Sequence, residues 1–204
     1  MSAGQWHRLC SPVFLHGSFF HLLSNCYSLF NVGPVAESTF GKERFLLIYV
    51  LAGLGGNLAG FWFGNPRGMS VGASGAVFGV MGAVFAFALR NQGALGRQAD
   101  ALMNSVGRIL FINILIGCQP RSGIDNLGHI GGFISGALGG LLLAPTVAGG
   151  GRRSRQGGGA EAGASIVPPL AARLLLFAGL GAYVLGLRDA VRLTLSLLAQ
   201  AGRT

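Results

Sequence analysis

The chain has 204 residues, 51% of them hydrophobic and only 10% charged, with a mean hydropathy of +0.57, which excludes an ordinary soluble domain and indicates a membrane protein. Its net charge of +9 falls mostly between apolar runs rather than on one stripe, so nucleic acid is not an expected partner and the basic residues are better read as markers of topology. Cys10, Cys26 and Cys118 are odd in number and lack C-x-x-C spacing, so neither a disulfide framework nor a zinc site is indicated, and no metal or other cofactor is expected.

Met1 is followed by a polar, aromatic stretch with no basic n-region or apolar h-region. The membrane address is therefore expected in the spans themselves or in sequence missing here. A hydrocarbon core of about 30 Å requires roughly 20 apolar residues as helix. The first candidate, 18–36, is interrupted by His21, Ser24, Asn25 and Asn31. Segments 45–63 and 71–89 are uncharged and long enough to span alone. Segment 109–118 is too short unless its helix begins near Ala101, which would put Arg108 at the membrane edge. Segment 126–144 is uncharged and rich in glycine. Residues 149–164 read GGGRRSRQGGGAEAGA, a composition that cannot bury a core and predicts a flexible linker. A last span, 170–187, carries only Arg173 near its start. There is no internal repeat, and no strand pattern survives comparison with spanning helices. The expected architecture is an all-α, polytopic transmembrane helix bundle, because only helices and closed barrels satisfy backbone groups in lipid. It divides into a membrane core at 1–147 with five spans, a Gly/Arg-rich linker at 148–169, and an additional C-terminal transmembrane helix and tail at 170–204.

Connections between such spans alternate sides. One set holds Lys42, Arg44, Arg90, Arg97, Arg108, Arg152, Arg153 and Arg155, and the other, before the tail, holds Arg8, Arg67 and Arg121. The richer set faces the cytoplasm or its topological equivalent. Ser74 and His129 then both lie near the opposite, outer face, at the starts of helices running inward.

Polar residues at membrane depth cost a few kcal/mol each on insertion scales. His21 and Asn25 are four apart and share one helix face. Taken alone they read first as interhelical glue, at about 1 kcal/mol per bond, and otherwise as two donors aimed at one spot. Ser74, in Gly72-Ala73-Ser74-Gly75, and the lone His129 each read as packing residues or as a nucleophile and its base. Gly132, Gly136 and Gly140 continue the face of His129, while Gly75, Gly79 and Gly82 follow Ser74, so both helices can approach closely.

Together these residues resemble the rhomboid family of intramembrane serine proteases. The matching elements are Trp6-His7-Arg8 before the Phe14-Leu15-His16 run, the set His16, His21 and Asn25, then Gly33, Glu37 and Gly41, the Gly72–Gly75 motif, and His129, Gly132 and Gly136. They occur in the family's order and cover nearly all of 6–145. The resemblance implies a dyad in place of a triad, with Ser74 as nucleophile and His129 as base. His21, Asn25 and the Ser74 N–H form the implied oxyanion site, supported by Gly72, Gly75, His16 and Phe78. Phe78 stands where many members have a tyrosine packed on the histidine. Asp125, one turn before His129, is expected at the surface rather than as an orienting third member.

The implied partners are single-span membrane protein substrates and the lipid bilayer. The phrases GPVAESTFGKERFLLIYVLAG and IDNLGHIGGFISG are more similar to plant and algal plastid rhomboids than to bacterial ones, which implies a plastid membrane. The resemblance implies a span before the Trp-Arg loop, where only residues 1–5 stand here, so the expectation is either an N-terminus truncated in this sequence or a protein without that helix; the final helix resembles the extra C-terminal span of some rhomboids. Two other functions compete: a catalytically silent rhomboid-like binding or escort protein, and an unrelated transporter or glycine-packed span protein. Silent relatives usually lose the serine or histidine, and both are present here. A transporter needs a polar path across the bilayer, whereas these polar residues gather toward one face.

Overall fold

A computed structural model of the chain describes residues 7–64, 71–120, 122–145 and 147. The expected linker, the span at 170–187 and the tail lie outside the described residues, as do Trp6, Arg67 and Arg121. The described elements are α1 (His7–Cys10), a 3-10 turn (Ser11–Phe14), α2 (Phe19–Phe40), α3 (Lys42–Phe63), α4 (Ser74–Arg90), α5 (Gln92–Leu95), α6 (Arg97–Gly117) and α7 (Asn126–Leu143). There is no strand among them, in agreement with the all-α expectation.

Helices α3, α6 and α7 are long and apolar enough to cross a membrane by length and composition. α4 is shorter, at 17 residues, or about 26 Å. It starts at Ser74 rather than at position 71, because Gly72 has a φ of +123° and the helix cannot extend back through it. α2 runs four residues beyond the expected end at 36, through Pro34 to Phe40, a lapse in backbone pairing that membrane helices tolerate. Gly41, at φ +80°, then ends α2 by donating its N–H to Glu37 O at 2.8 Å, and α3 begins at the next residue. α6 starts at Arg97, four residues earlier than expected, so Arg108 lies on the exposed surface midway along the helix and not at its edge.

α4 is the central helix, packed against α2, α3, α6 and α7. Twelve of its residues are buried. Around its C-terminal half lie Ala36, Phe40, Ile48 and Leu143, with Phe40 edge to face on its own Phe87 at 6.1 Å. Around its outer half lie Val13, Phe78, Met81 and Val106. The perimeter is also apolar, with Phe20, Phe30, Phe63 and Phe111 exposed, as expected when the solvent is lipid.

α4 and α7 run parallel and nearly touch. A Cβ on Gly132 would collide with the backbone of Gly75, one on Gly136 with Gly79, and one on Gly140 would fall 2.6 Å from Ala83 O. The four-residue repeat keeps one register over the whole interface. α3 packs against both helices, where a Cβ on Gly56 would lie 2.7 Å from Gly128 O and 3.3 Å from Gly75 Cα. At the inner end, Arg44 and Arg90 donate to Leu143 O (3.1 Å) and Leu141 O (2.7 Å).

Because packing contacts rather than hydrophobic transfer hold helices together in lipid, Gly136→Val is expected to cost about 3 kcal/mol of stability. Gly93→Ala, with nothing within 4 Å of its added Cβ, should change stability by less than about 0.5 kcal/mol. Reversible unfolding in mixed micelles compares the two.

Candidate active site

The entry to α4 is fixed from two sides. The 3-10 turn anchors it through Gly72 N–H, which donates to Pro12 O at 2.8 Å. From α2, His21 and Asn25 lean on the same glycine. A Cβ there would lie 2.5 Å from His21 Cε1, 2.8 Å from its Nε2 and 3.6 Å from Asn25 Nδ2. Two polar side chains one helical turn apart thus converge on the backbone two residues before Ser74. α2 itself starts at Ser18, whose hydroxyl accepts from His21 N at 3.1 Å and so sets where that first turn begins.

His129 comes in from α7. It is only 7% exposed, and its ring stacks on Phe78 with centroids 4.4 Å apart and planes 20° apart. Phe78 lies one turn after Ser74, so the stacking fixes the imidazole against the helix that carries the serine. Gly75 and Gly132 remove the side chains that would otherwise separate the two helices at this level.

Ser74, His129, His21, Asn25, Gly72, Gly75 and Phe78 all line one cavity of about 550 Å³. His16 does not reach it; its ring packs edge-on against His21 at 5.3 Å. No hydrogen bond between described residues joins Ser74 to His129, although both face the cavity. Such a bond commonly tightens only when substrate occupies the site. Asn25 is 7% exposed, and its Nδ2 is a buried donor without a protein partner. α4 has no side-chain cap, since Ala73 stands at the N-cap position, so the amides of its first turn have no capping oxygen. Among the described residues no group of three or more His, Cys, Asp or Glu is arranged to hold a metal ion.

Several polar residues at the cavity wall were not singled out in the sequence as site residues, among them Asn57, Asn113 and Asp125. Asn113 is partly committed, donating to Ile109 O at 2.9 Å. Asp125 is half-buried and not at the surface as expected. It caps α7, its Oδ1 accepting from Gly128 N at 2.8 Å. An acidic residue just ahead of an uncharged helical run is the sequence signal for that cap.

The fold and the cavity define a class: a multi-pass helical membrane protein in which a serine and a histidine, each near the start of a helix, open on one polar chamber. The chain belongs to the rhomboid family. Residues 3–146 match the family model described as "Rhomboid domain". The chain is similar to "Rhomboid protease GluP" of Bacillus subtilis (strain 168), with 42% identity over 136 residues, 67% of this chain and 26% of that protein. It is similar to "RHOMBOID-like protein 1" of Arabidopsis thaliana, with 40% identity over 135 residues, 66% of this chain and 34% of that protein. It is also 40% identical over 131 residues to "Inactive RHOMBOID-like protein 8" of the same plant, covering 64% of this chain and 36% of that protein. The chain thus spans well under half the length of these relatives.

Gly72→Ala tests the convergence. It forces a left-handed φ on alanine and drives its methyl into His21, so a stability loss of about 1–3 kcal/mol is expected. Displacement of His21 should appear as a shifted imidazole resonance in NMR spectra of the selectively labelled protein.

Proposed function

We propose that the chain is an intramembrane serine endopeptidase that cleaves transmembrane protein substrates with a Ser74–His129 dyad. The observation that carries this reading is the joint placement of Ser74, His129, His21 and Asn25 on one polar cavity within a lipid-facing helical bundle. Membership of a family with protease-named members supports it.

In the proposed reaction Ser74 Oγ attacks the scissile carbonyl carbon while the imidazole of His129 takes the hydroxyl proton. The electron pair of the C=O bond moves to oxygen. The resulting oxyanion meets the Ser74 N–H at the uncapped start of α4, the Asn25 amide and the His21 imidazole. Each such donor is worth about 10²–10³ in rate when aimed at the developing charge. His129 then returns the proton to the leaving amine as the C–N bond breaks, and a water repeats the sequence on the acyl-enzyme. The cavity supplies a polar route for that water inside an apolar perimeter. His16, behind His21, and Gly72, beneath it, hold the donor in place. Phe78 keeps the histidine ring facing α4.

The substrates we infer are single-span membrane proteins whose cleavage segment reaches the outer-face end of the bundle, and the membrane we infer is a plastid one. A silent binding or escort role is the second reading, favoured by the similarity to a relative named inactive. Retention of Ser74, His129, His21 and Asn25 favours the protease.

The discriminating experiment is labelling of purified protein with a fluorophosphonate probe. Wild type should label, and Ser74→Ala and His129→Ala should not; equal labelling of all three sinks the protease. With a cleavable transmembrane reporter, Asn25→Ala is expected to lower kcat by about 10² with little change in KM, as fits a group that acts chiefly in the transition state. A change in KM alone would contradict the oxyanion role.

A further inference from the structure

α6 carries a cation where a lipid-facing helix ordinarily has none. Arg108 is exposed and lies eleven residues into the helix, about 16 Å from Arg97 along its axis. Only residues 109–117 follow it, about 14 Å of helix against a hydrocarbon core of about 30 Å. An ionised side chain at such a depth is costly unless a counter-charge meets it. The protein supplies none. Positions 101–117 contain no acidic residue, and no described residue forms an ion pair or hydrogen bond with Arg108. The nearest carboxylate in α6, that of Asp100, lies two turns back and accepts from Gln92 Nε2 at 2.9 Å.

The helix face around Arg108 is laid out for an amphiphile. α6 packs on α4 and α5 and buries Ala99 and Val106, which leaves Arg97, Ala101, Asn104, Ser105 and Arg108 exposed. Arg97, Ala101, Asn104 and Arg108 follow at intervals of four, three and four, a single stripe. A helical side chain leans toward the N-terminus of its helix, so Arg108 reaches back over the short side chains of Asn104 and Ala101, toward the inner end. On the other side of Arg108 the stripe turns apolar, with Phe111, Ile112 and Leu115 exposed. Polar groups toward the inner end and apolar groups toward the bilayer centre repeat the order of headgroup and chains in an inner-leaflet lipid.

We propose that this face of α6 binds an anionic phospholipid of the inner leaflet. The guanidinium fork of Arg108 takes two phosphate oxygens, a geometry that arginine matches and lysine does not. The Asn104 amide donates to a further oxygen, and the acyl chains run over Ile112 and Leu115. Arg97, at the inner end of the stripe, faces the distal part of the headgroup. Charge selects the lipid there: a zwitterionic headgroup brings its own ammonium toward Arg97, whereas an anionic one does not. The site requires only that α6 span the membrane and is independent of the dyad.

Native mass spectrometry of the full chain in detergent micelles, titrated with phosphatidylglycerol or with phosphatidylcholine of the same chains, reads the site directly. Wild type should hold phosphatidylglycerol about ten-fold more tightly than phosphatidylcholine. Arg108→Gln should lose that preference, and Arg108→Lys should keep only part of it, since lysine retains the charge without the fork. Asn104→Ala, which changes no charge, should weaken phosphatidylglycerol binding a few-fold. Unfolding midpoints without lipid should match wild type in all three, because Arg108 has no protein partner to lose. Lys42→Gln removes an exposed inner-end cation from α3 and should bind phosphatidylglycerol as wild type does. Equal affinity of wild type for the two lipids overturns the inference, as does wild-type binding by Arg108→Gln and Asn104→Ala. An equal loss in Lys42→Gln and Arg108→Gln would trace the preference to diffuse surface charge and overturn it as well. A wild type indifferent to lipid but forming oligomers that Arg108→Gln abolishes would give the face to a protein partner instead.

Discussion

The near-contact of α4 with α7 sets the conditions for the rest of the molecule. In lipid, apolar side chains gain nothing by leaving the hydrocarbon, so two helices associate through backbone proximity and the contacts it allows. Gly132 over Gly75, Gly136 over Gly79 and Gly140 over Ala83 give three such approaches in one register. A parallel pair held in register has its N-termini at one level, and that is where Ser74 and His129 stand. α3 packs into the groove between the two, with its small residues Gly55, Gly56 and Ala59 against α7. The site is thus a by-product of the packing, in the sense that the helices' starting level fixes which side chains can share a chamber.

The bundle handles polarity in two ways. On its perimeter, polar side chains are neutralised locally: Asn31 donates to Tyr27 O at 2.6 Å, and Thr39 donates to Val35 O at 2.7 Å. Each returns its hydrogen bond to the preceding turn of its own helix and adds no demand on the lipid. Toward the cavity the opposite holds, and Asn25 Nδ2, His129 Nδ1 and Asp125 Oδ2 are buried without protein partners. Unmet hydrogen-bonding capacity is expensive in a low-dielectric interior. Of the five such atoms among the described residues, three gather at this chamber, while the other two, His16 Nε2 and Asn126 Oδ1, lie outside its lining.

Part of this was legible in the chain because lipid imposes a length rule: 45–63, 71–89 and 126–144 stand out as uncharged apolar runs, whereas 18–36 and 109–118 do not. The glycine faces were legible too, since a four-residue spacing of small residues has direct geometric meaning. Helix ends were less so. Position 71 looked like part of a span because Val71, Gly72 and Ala73 are uncharged, and hydropathy cannot show that Gly72 turns through positive φ. The first span was bounded at position 36, yet the helix runs through Pro34 to Phe40 and stops at Gly41. Arg97 and Asp100 concealed the start of α6, since charge reads as loop when length alone is weighed. Asp125 was assigned to the surface because a carboxylate usually is; the glycine niche that encloses it depends on α3, far away in sequence, and no local pattern announces it.

The parallel pairing of α4 and α7 also has an electrostatic consequence. Two helices side by side and co-directional place their backbone dipoles in the same sense, an arrangement that repels along its whole length. The guanidinium groups of Arg44 and Arg90 sit on the carbonyls of Leu143 and Leu141, both in the last turn of α7, and absorb that helix's negative pole. Nothing equivalent neutralises the start of α4, where no side chain caps the helix. The start of α4 therefore keeps its own positive pole, a local main-chain field turned toward the chamber. Ringed by hydrocarbon, that field is poorly screened by salt, so negative charge arising beside Ser74 meets a favourable potential before any side chain moves.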